Sequence, residues 1–302
     1  MAFGIDELGI DGQNPPRLYA RLGSRVLATA DRGANWLDVG PPADLSDPLY
    51  FSDPSLAVAP DDSQTLYVSE SRNLAQSTDG GRSWTIVQNP CVILSGLLLE
   101  PRDSGHLFAE GHFLSGFCGR IPKALLHSRD GGQTWDQLIA VEWRYLAIDS
   151  LDSSVYVEDS AGDLWRIVPG PSSRHELLFP ELSATALAVS PLVPGTLWAV
   201  RPGAVGRSRD GGRTWSFSSA GLPEGAVVFK LAPDPADPAT LYAGISAQGV
   251  FKSTDAGETW TPVGTWPAGV HLQGGLLVDP ADPSILYAGT DTAGVLMFDQ
   301  ED

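Results

Sequence analysis

Seven times along the 302-residue chain, a short apolar run gives way to a turn rich in Asp and Pro, and then to a leucine, an aromatic and a small residue. The copies are "LGIDGQNPPRLYA" (8–20), "LAVAPDDSQTLYV" (56–68), "LLLEPRDSGHLFA" (97–109), "LAIDSLDSSVYV" (146–157), "LAVSPLVPGTLWA" (187–199), "LAPDPADPATLYA" (231–243) and "LLVDPADPSILYA" (276–288). Apolar runs this short, bounded by turn residues, predict pairs of β-strands and not helices. The apolar run is strand A and the Leu-aromatic segment is strand B.

A second pattern follows strand B in most units. It reads "TADRGANW" (29–36), "STDGGRSW" (77–84), "SRDGGQTW" (128–135), "SRDGGRTW" (208–215) and "STDAGETW" (253–260). Its central aspartates are 48, 51, 80 and 45 residues apart, so the long gap holds two units, one of which has lost the motif at "DLWRIV" (163–168). Glycines there supply the left-handed backbone angles of a tight hairpin, and the aspartate can accept hydrogen bonds from turn amides. The octapeptide is therefore expected to be the hairpin between strands C and D, with its tryptophan opening strand D and packing between neighbouring units.

Repeats of this length, each holding several short strands, predict an all-β fold: a seven-bladed β-propeller of four-stranded antiparallel blades, occupying residues 1–302 as a single domain. The seventh unit has no strand D before the chain stops at "DQED", and "MAFGIDE" precedes the first strand A. The expectation is that Ala2–Ile5 completes the last blade beside Val295–Phe298, removing two exposed edges.

Composition narrows the function. With 33 Gly and 24 Pro but 42% hydrophobic residues, the chain is turn-rich and folded. A formal net charge of −18 argues against nucleic acid and against an anionic membrane surface as partners. No window is apolar enough for a transmembrane helix, and no signal segment opens the chain, so a monomeric soluble chain, or the mature part of a precursor, is expected.

The octapeptides, with the pattern Ser/Thr-x-Asp-x-Gly-x-Thr-Trp, resemble the Asp-box of BNR-repeat proteins, with Asn35 a departure. Proteins sharing this motif include bacterial sialidases, two-propeller xyloglucanases, sortilin ectodomains and photosystem II stability/assembly factors. The short regular units resemble the assembly-factor and sortilin-like groups most. That resemblance covers the whole chain and implies a fold, while one propeller hosts unrelated activities. It implies structural roles for Asp31, Asp79, Asp130, Asp210 and Asp255, and for Trp36, Trp84, Trp135, Trp215 and Trp260.

Propeller sites lie among the B–C and D–A loops, away from the C–D hairpins. Those loops carry eight of the nineteen basic residues of an otherwise acidic chain, which would make a locally positive patch suited to carboxylates or phosphates. Candidate binding residues are Arg21, Arg25, Arg72, Arg120, Lys123, Glu142, Trp143, Arg144, Tyr145 and Arg201, with "EWRY" (142–145) the densest cluster. The bland alternative is that these cations are solvated or pair with Glu70, Glu110, Glu142 and Glu158 in the same loops.

Cys91 and Cys118 fall in loops of one end of blade three, so a disulfide is expected, suiting a periplasmic or secreted bacterial protein; free thiols would suit the cytoplasm. The five histidines show no ligand spacing, and no metal or other cofactor is expected. No Ser-His-Asp signature, phosphate loop or dinucleotide fingerprint is present. A sialidase-like site would need an arginine triad with a Tyr–Glu pair, and xyloglucanases cleave between two propellers. The expected function is therefore non-catalytic binding of a partner protein or peptide, with a carbohydrate-binding or glycoside-hydrolase propeller as the alternative.

Overall fold

The computed structural model describes residues 4–41, 55–60, 62, 64–70, 73–88, 92–113, 123–140, 143–170 and 173–300. Among them there is no helix. Seven antiparallel sheets follow one another along the chain, six with four strands and the last with three, each strand pairing with the next in sequence. These are the blades of a seven-bladed β-propeller. Blade five shows the plan, with strands A (Ala186–Val189), B (Leu197–Arg201), C (Ala204–Ser208) and D (Ser216–Ser218). The fourth unit, which lacks the octapeptide, still forms a full blade from Trp143–Ile148, Val155–Asp159, Leu164–Val168 and Arg174–Phe179.

Strand B is buried on both faces, which explains the consecutive apolar residues at its centre. Its aromatic residue, Tyr19, Tyr67, Phe108, Tyr156, Trp198, Tyr242 or Tyr287, is never more than 1% exposed. Strand D is the opposite case, half-exposed and as short as Leu37–Asp38 or Thr261–Pro262. The turn between A and B is an Asx turn, in which a side-chain oxygen replaces a backbone acceptor. Asp11 Oδ1 accepts from the amides of Gln13 and Arg17, Asp234 Oδ1 from Ala236 and Asp237, and Asp279 Oδ1 from Ala281 and Asp282.

Contacts divide the chain into two compact units, residues 6–143 and residues 144–302 with 1–5. In the first, Tyr19, Val26 and Leu56 pack with Leu66 and Val68 between blades one and two, and Leu74 packs with Val92 and Leu94 of blade three. In the second, Tyr156 and Leu164 pack with Leu197, and Trp198 with Leu241 and Trp260. Of the octapeptide tryptophans, Trp84, Trp135 and Trp215 pack against these clusters from the edge, and Trp260 lies inside its own.

The end of the chain differs from expectation. Val295–Asp299 is the last strand of the three-stranded seventh sheet. Residues 2 and 3 of the expected closing strand lie outside the described residues. Ile5 does join blade seven, but not alongside Val295–Phe298. Its amide donates to Thr290 O at 2.8 Å, and its side chain lies against Gly274 and Gly289. A Cβ on Gly274 would stand 2.5 Å from Ile5 Cγ2, so the two missing side chains make room for the crossing segment.

Candidate binding face of the B–C and D–A loops

Backbone hydrogen bonds fix which connections share an end of each blade. The amide at the fourth octapeptide position bonds to the A–B turn of its own blade: Gly80 to Gln64 O, Gly131 to Gly105 O, Gly211 to Gly195 O and Ala256 to Ala239 O, at 2.7–3.0 Å. At the other end, D–A loops bond to B–C loops, as in Ser183 N to Gly162 O and Leu272 N to Ser246 O. C–D hairpins are thus separated by the length of a strand from the loops expected to bind ligands.

The octapeptides are self-contained hairpins. Ser208 donates to Asp210 Oδ1 at 2.8 Å and accepts from the Gly212 amide; Asp210 Oδ1 accepts from the Thr214 amide and Oδ2 from the Thr214 hydroxyl at 2.6 Å. The same bonds recur around Asp79, Asp130 and Asp255. At the departure in blade one, the Asn35 side-chain amide donates to Asp31 Oδ2 at 2.8 Å, doing the work of the missing hydroxyl. Hydrogen bonds to the carboxylate favour its charged form. Side-chain donation by Ser83 and Thr214 leads the lowering of Asp79 and Asp210 to about 2, and donation by Thr29 and Asn35 does so for Asp31. Asp255 also reaches about 2, against the desolvation that pushes it up.

Most described cations of the candidate set are engaged within the fold. Arg21 is buried and reaches Asp6 and Glu7 at 3.4 Å and Gly23 O at 2.9 Å. Glu7 in turn accepts from the Leu56 amide, joining blades one and two. Arg25 pairs with Asp38 at 2.8 Å on the surface, and Lys123 with Glu110 at 3.0 Å. Arg201 donates to Leu182 O and Glu181 O and stacks on Phe217 at 4.5 Å, so it clamps a D–A loop. Trp143 is half-buried, its ring edge above Gly96. Arg144 and Tyr145 lie in strand A of blade four. Arg72, Arg120, Glu142, Cys91 and Cys118 lie outside the described residues.

What the loop end of residues 144–302 leaves accessible is a different set. Lys230, His271 and Gln273 are exposed, and Val227 is 64% exposed. Lys230 sits in strand A of blade six (Val228–Pro233), a position that the loop-by-loop count of basic residues contained but did not single out. Carboxylates there serve the loops. Glu158 Oε2 accepts from the Ala184 amide, Asp159 from Ala161, Asp163 and the Trp165 indole, Asp163 from Glu181, and Asp291 from His271. No cluster of three or more metal-ligating side chains occurs among the described residues, and no helix of the described chain is long and apolar enough to cross a membrane.

Fold and hairpins together define a seven-bladed propeller. Solved structures share that fold. YCF48 from Cyanidioschyzon merolae superposes with a TM-score of 0.70 at 16% identity, covering 100% of this chain and 97% of its own. YCF48 bound to D1 peptide gives 0.69, and the GH74 enzyme of Niastella koreensis gives 0.70 over 98% of this chain but 52% of the enzyme. Among curated proteins, xyloglucanases of Paenibacillus sp. and of Hypocrea jecorina (strain QM6a) are 25% and 26% identical over 271 and 187 residues. The alignments cover 70% and 57% of this chain but only 26% and 21% of those enzymes. No family model matches the chain.

Proposed function

We propose that this chain is a non-catalytic, single-domain propeller that binds an extended peptide or protein segment at the B–C and D–A loop end, in the periplasm or outside the cell. The carrying observation is the commitment of the loop carboxylates. Hydrolysis of a glycoside needs two carboxyl groups at a set separation around the bond. Glu158, Asp159, Asp163 and Asp291 are instead bonded to loop amides, while Lys230, His271 and Val227 offer a cation, a polar ring and an apolar contact. The end-to-end likeness to YCF48, one structure of which holds a D1 peptide, supports a peptide ligand.

A carbohydrate reading is favoured by one specific observation: both curated relatives are xyloglucanases. The two readings separate in one experiment. Purified protein is assayed for release of reducing ends from xyloglucan and, by calorimetry, for binding of xyloglucan oligosaccharides and of an acidic extended peptide. Peptide binding weakened by Lys230→Glu, with no sugar release, supports the proposal. Sugar release, or oligosaccharide binding without peptide binding, overturns it.

A further inference from the structure

The A–B turn of blade five breaks a rule that the other six obey. Each of those six carries an acidic side chain: Asp11, Asp62, Asp103, Asp149, Asp234 or Asp279. In blade five the turn reads "SPLVPG" (190–195), and Ser190 replaces the aspartate as acceptor for the amides of Leu192 and Val193. Val193 occupies the position of Asp237 and Asp282 in the next two blades. There the carboxylate accepts from the Thr240 hydroxyl at 2.8 Å and from the Ser284 hydroxyl at 2.6 Å. Val193 forgoes that bond and gains no burial, for it is 39% exposed and Leu192 is 40% exposed. A local rule broken with no compensating packing marks a functional position, and Leu192 and Val193 set two apolar side chains next to each other at the surface.

The neighbourhood specifies the chemistry. A groove of about 540 Å³ opens beside Val193 and Pro194, with Pro238 and Ala239 of blade six on its far side. Four charged side chains line it. Arg207 holds Glu258 at 2.6 Å, and Asp255 is bonded within its own hairpin by Ser253 and Thr259. Arg209 is exposed and makes no hydrogen bond or ion pair among the described residues. An apolar shelf next to one uncommitted guanidinium fits a carboxylate adjoining an apolar side chain.

We propose that this groove, on the hairpin end of blades five and six, is a second docking site for an extended partner segment carrying an acidic residue beside leucine-like side chains. The uncommitted Arg209 guanidinium selects an acidic segment as the occupant, and a second copy of this chain is the alternative that sedimentation excludes.

The test uses fluorescence polarisation with fluorescein-labelled Gly-Glu-Leu-Leu-Asp-Gly and its charge-reversed counterpart Gly-Lys-Leu-Leu-Lys-Gly. The acidic peptide should bind saturably and the basic one should not. Arg209→Glu and Val193→Asp should each weaken binding by about tenfold, as expected for central contact residues. Val193→Asp restores the side chain of the neighbouring turns, so its melting temperature should hold or rise while binding falls. Arg174→Glu, which reverses an exposed cation in strand D of blade four, should leave this binding intact. Failure of the acidic peptide to bind, unchanged affinity in both variants, or loss of a dimer in sedimentation of Leu192→Asp would each overturn the proposal.

Discussion

The indole of Trp198, in strand B of blade five, donates its N–H to the carbonyl of Ala256 at 2.9 Å, in the hairpin of blade six. Ala256 holds φ +60, and Arg207 donates to the same carbonyl at 3.3 Å. A fully buried side chain and a surface hairpin 58 residues away are thereby joined. Trp198→Phe keeps most of the apolar volume but removes the donor. It should lower unfolding stability by about 1–2 kcal/mol, less than the roughly 3–5 kcal/mol of a Trp→Ala truncation. Urea titration measures it; an unchanged stability in Trp198→Phe would show that the hydrogen bond contributes nothing.

Ala256 stands where three other hairpins have glycine at φ +69 to +72, namely Gly80, Gly131 and Gly211. A left-handed backbone costs an L-residue about 1–2 kcal/mol, part of which glycine gives back through its freer unfolded chain. Ala256→Gly should therefore stabilise by about 0.5–1 kcal/mol, seen as a higher melting temperature. A lower one would mean that the alanine methyl packs usefully.

Asp210 should govern acid stability locally. Its folded value of about 2 lies below the ordinary 3.8, so its contribution is complete above pH 3.8 and is lost as pH falls through about 2. Asp210→Asn should destabilise at neutral pH, by an amount modest for so exposed a group, and the gap from the parent should close towards pH 2. A gap independent of pH would assign the effect to geometry and not to charge.

His127 works in another window. Burial leads its shift from 6.5 to about 4, helped by repulsion from His106 and Arg129. The ring stacks on Phe108 at 4.4 Å, and neither nitrogen has a hydrogen-bond partner among the described residues. The folded state binds fewer protons than the unfolded between those values, so stability should fall as pH drops from about 6.5 to about 4. His127→Phe should flatten that slope, as read from denaturation midpoints across the range. An unaltered slope would place the titrating group elsewhere.

Periodicity alone carried the seven blades, the A–B and C–D assignments and the unit lacking its octapeptide, because strand burial and hairpin chemistry are local and recur in every repeat. Even Asn35 was visible as a departure, although only the side-chain amide reaching Asp31 shows why it is tolerated. The partners of the loop cations were not legible. Arg21 and Arg201 look like binding residues in a list of loops, yet one closes on Asp6 and Glu7 and the other on the carbonyls of Glu181 and Leu182. Ile5 against Gly274, and Val193 beside Arg209, were equally hidden. Sequence spacing determines what each repeat is; which charges meet across distant turns depends on side-chain reach in three dimensions, and that the tertiary structure alone decides.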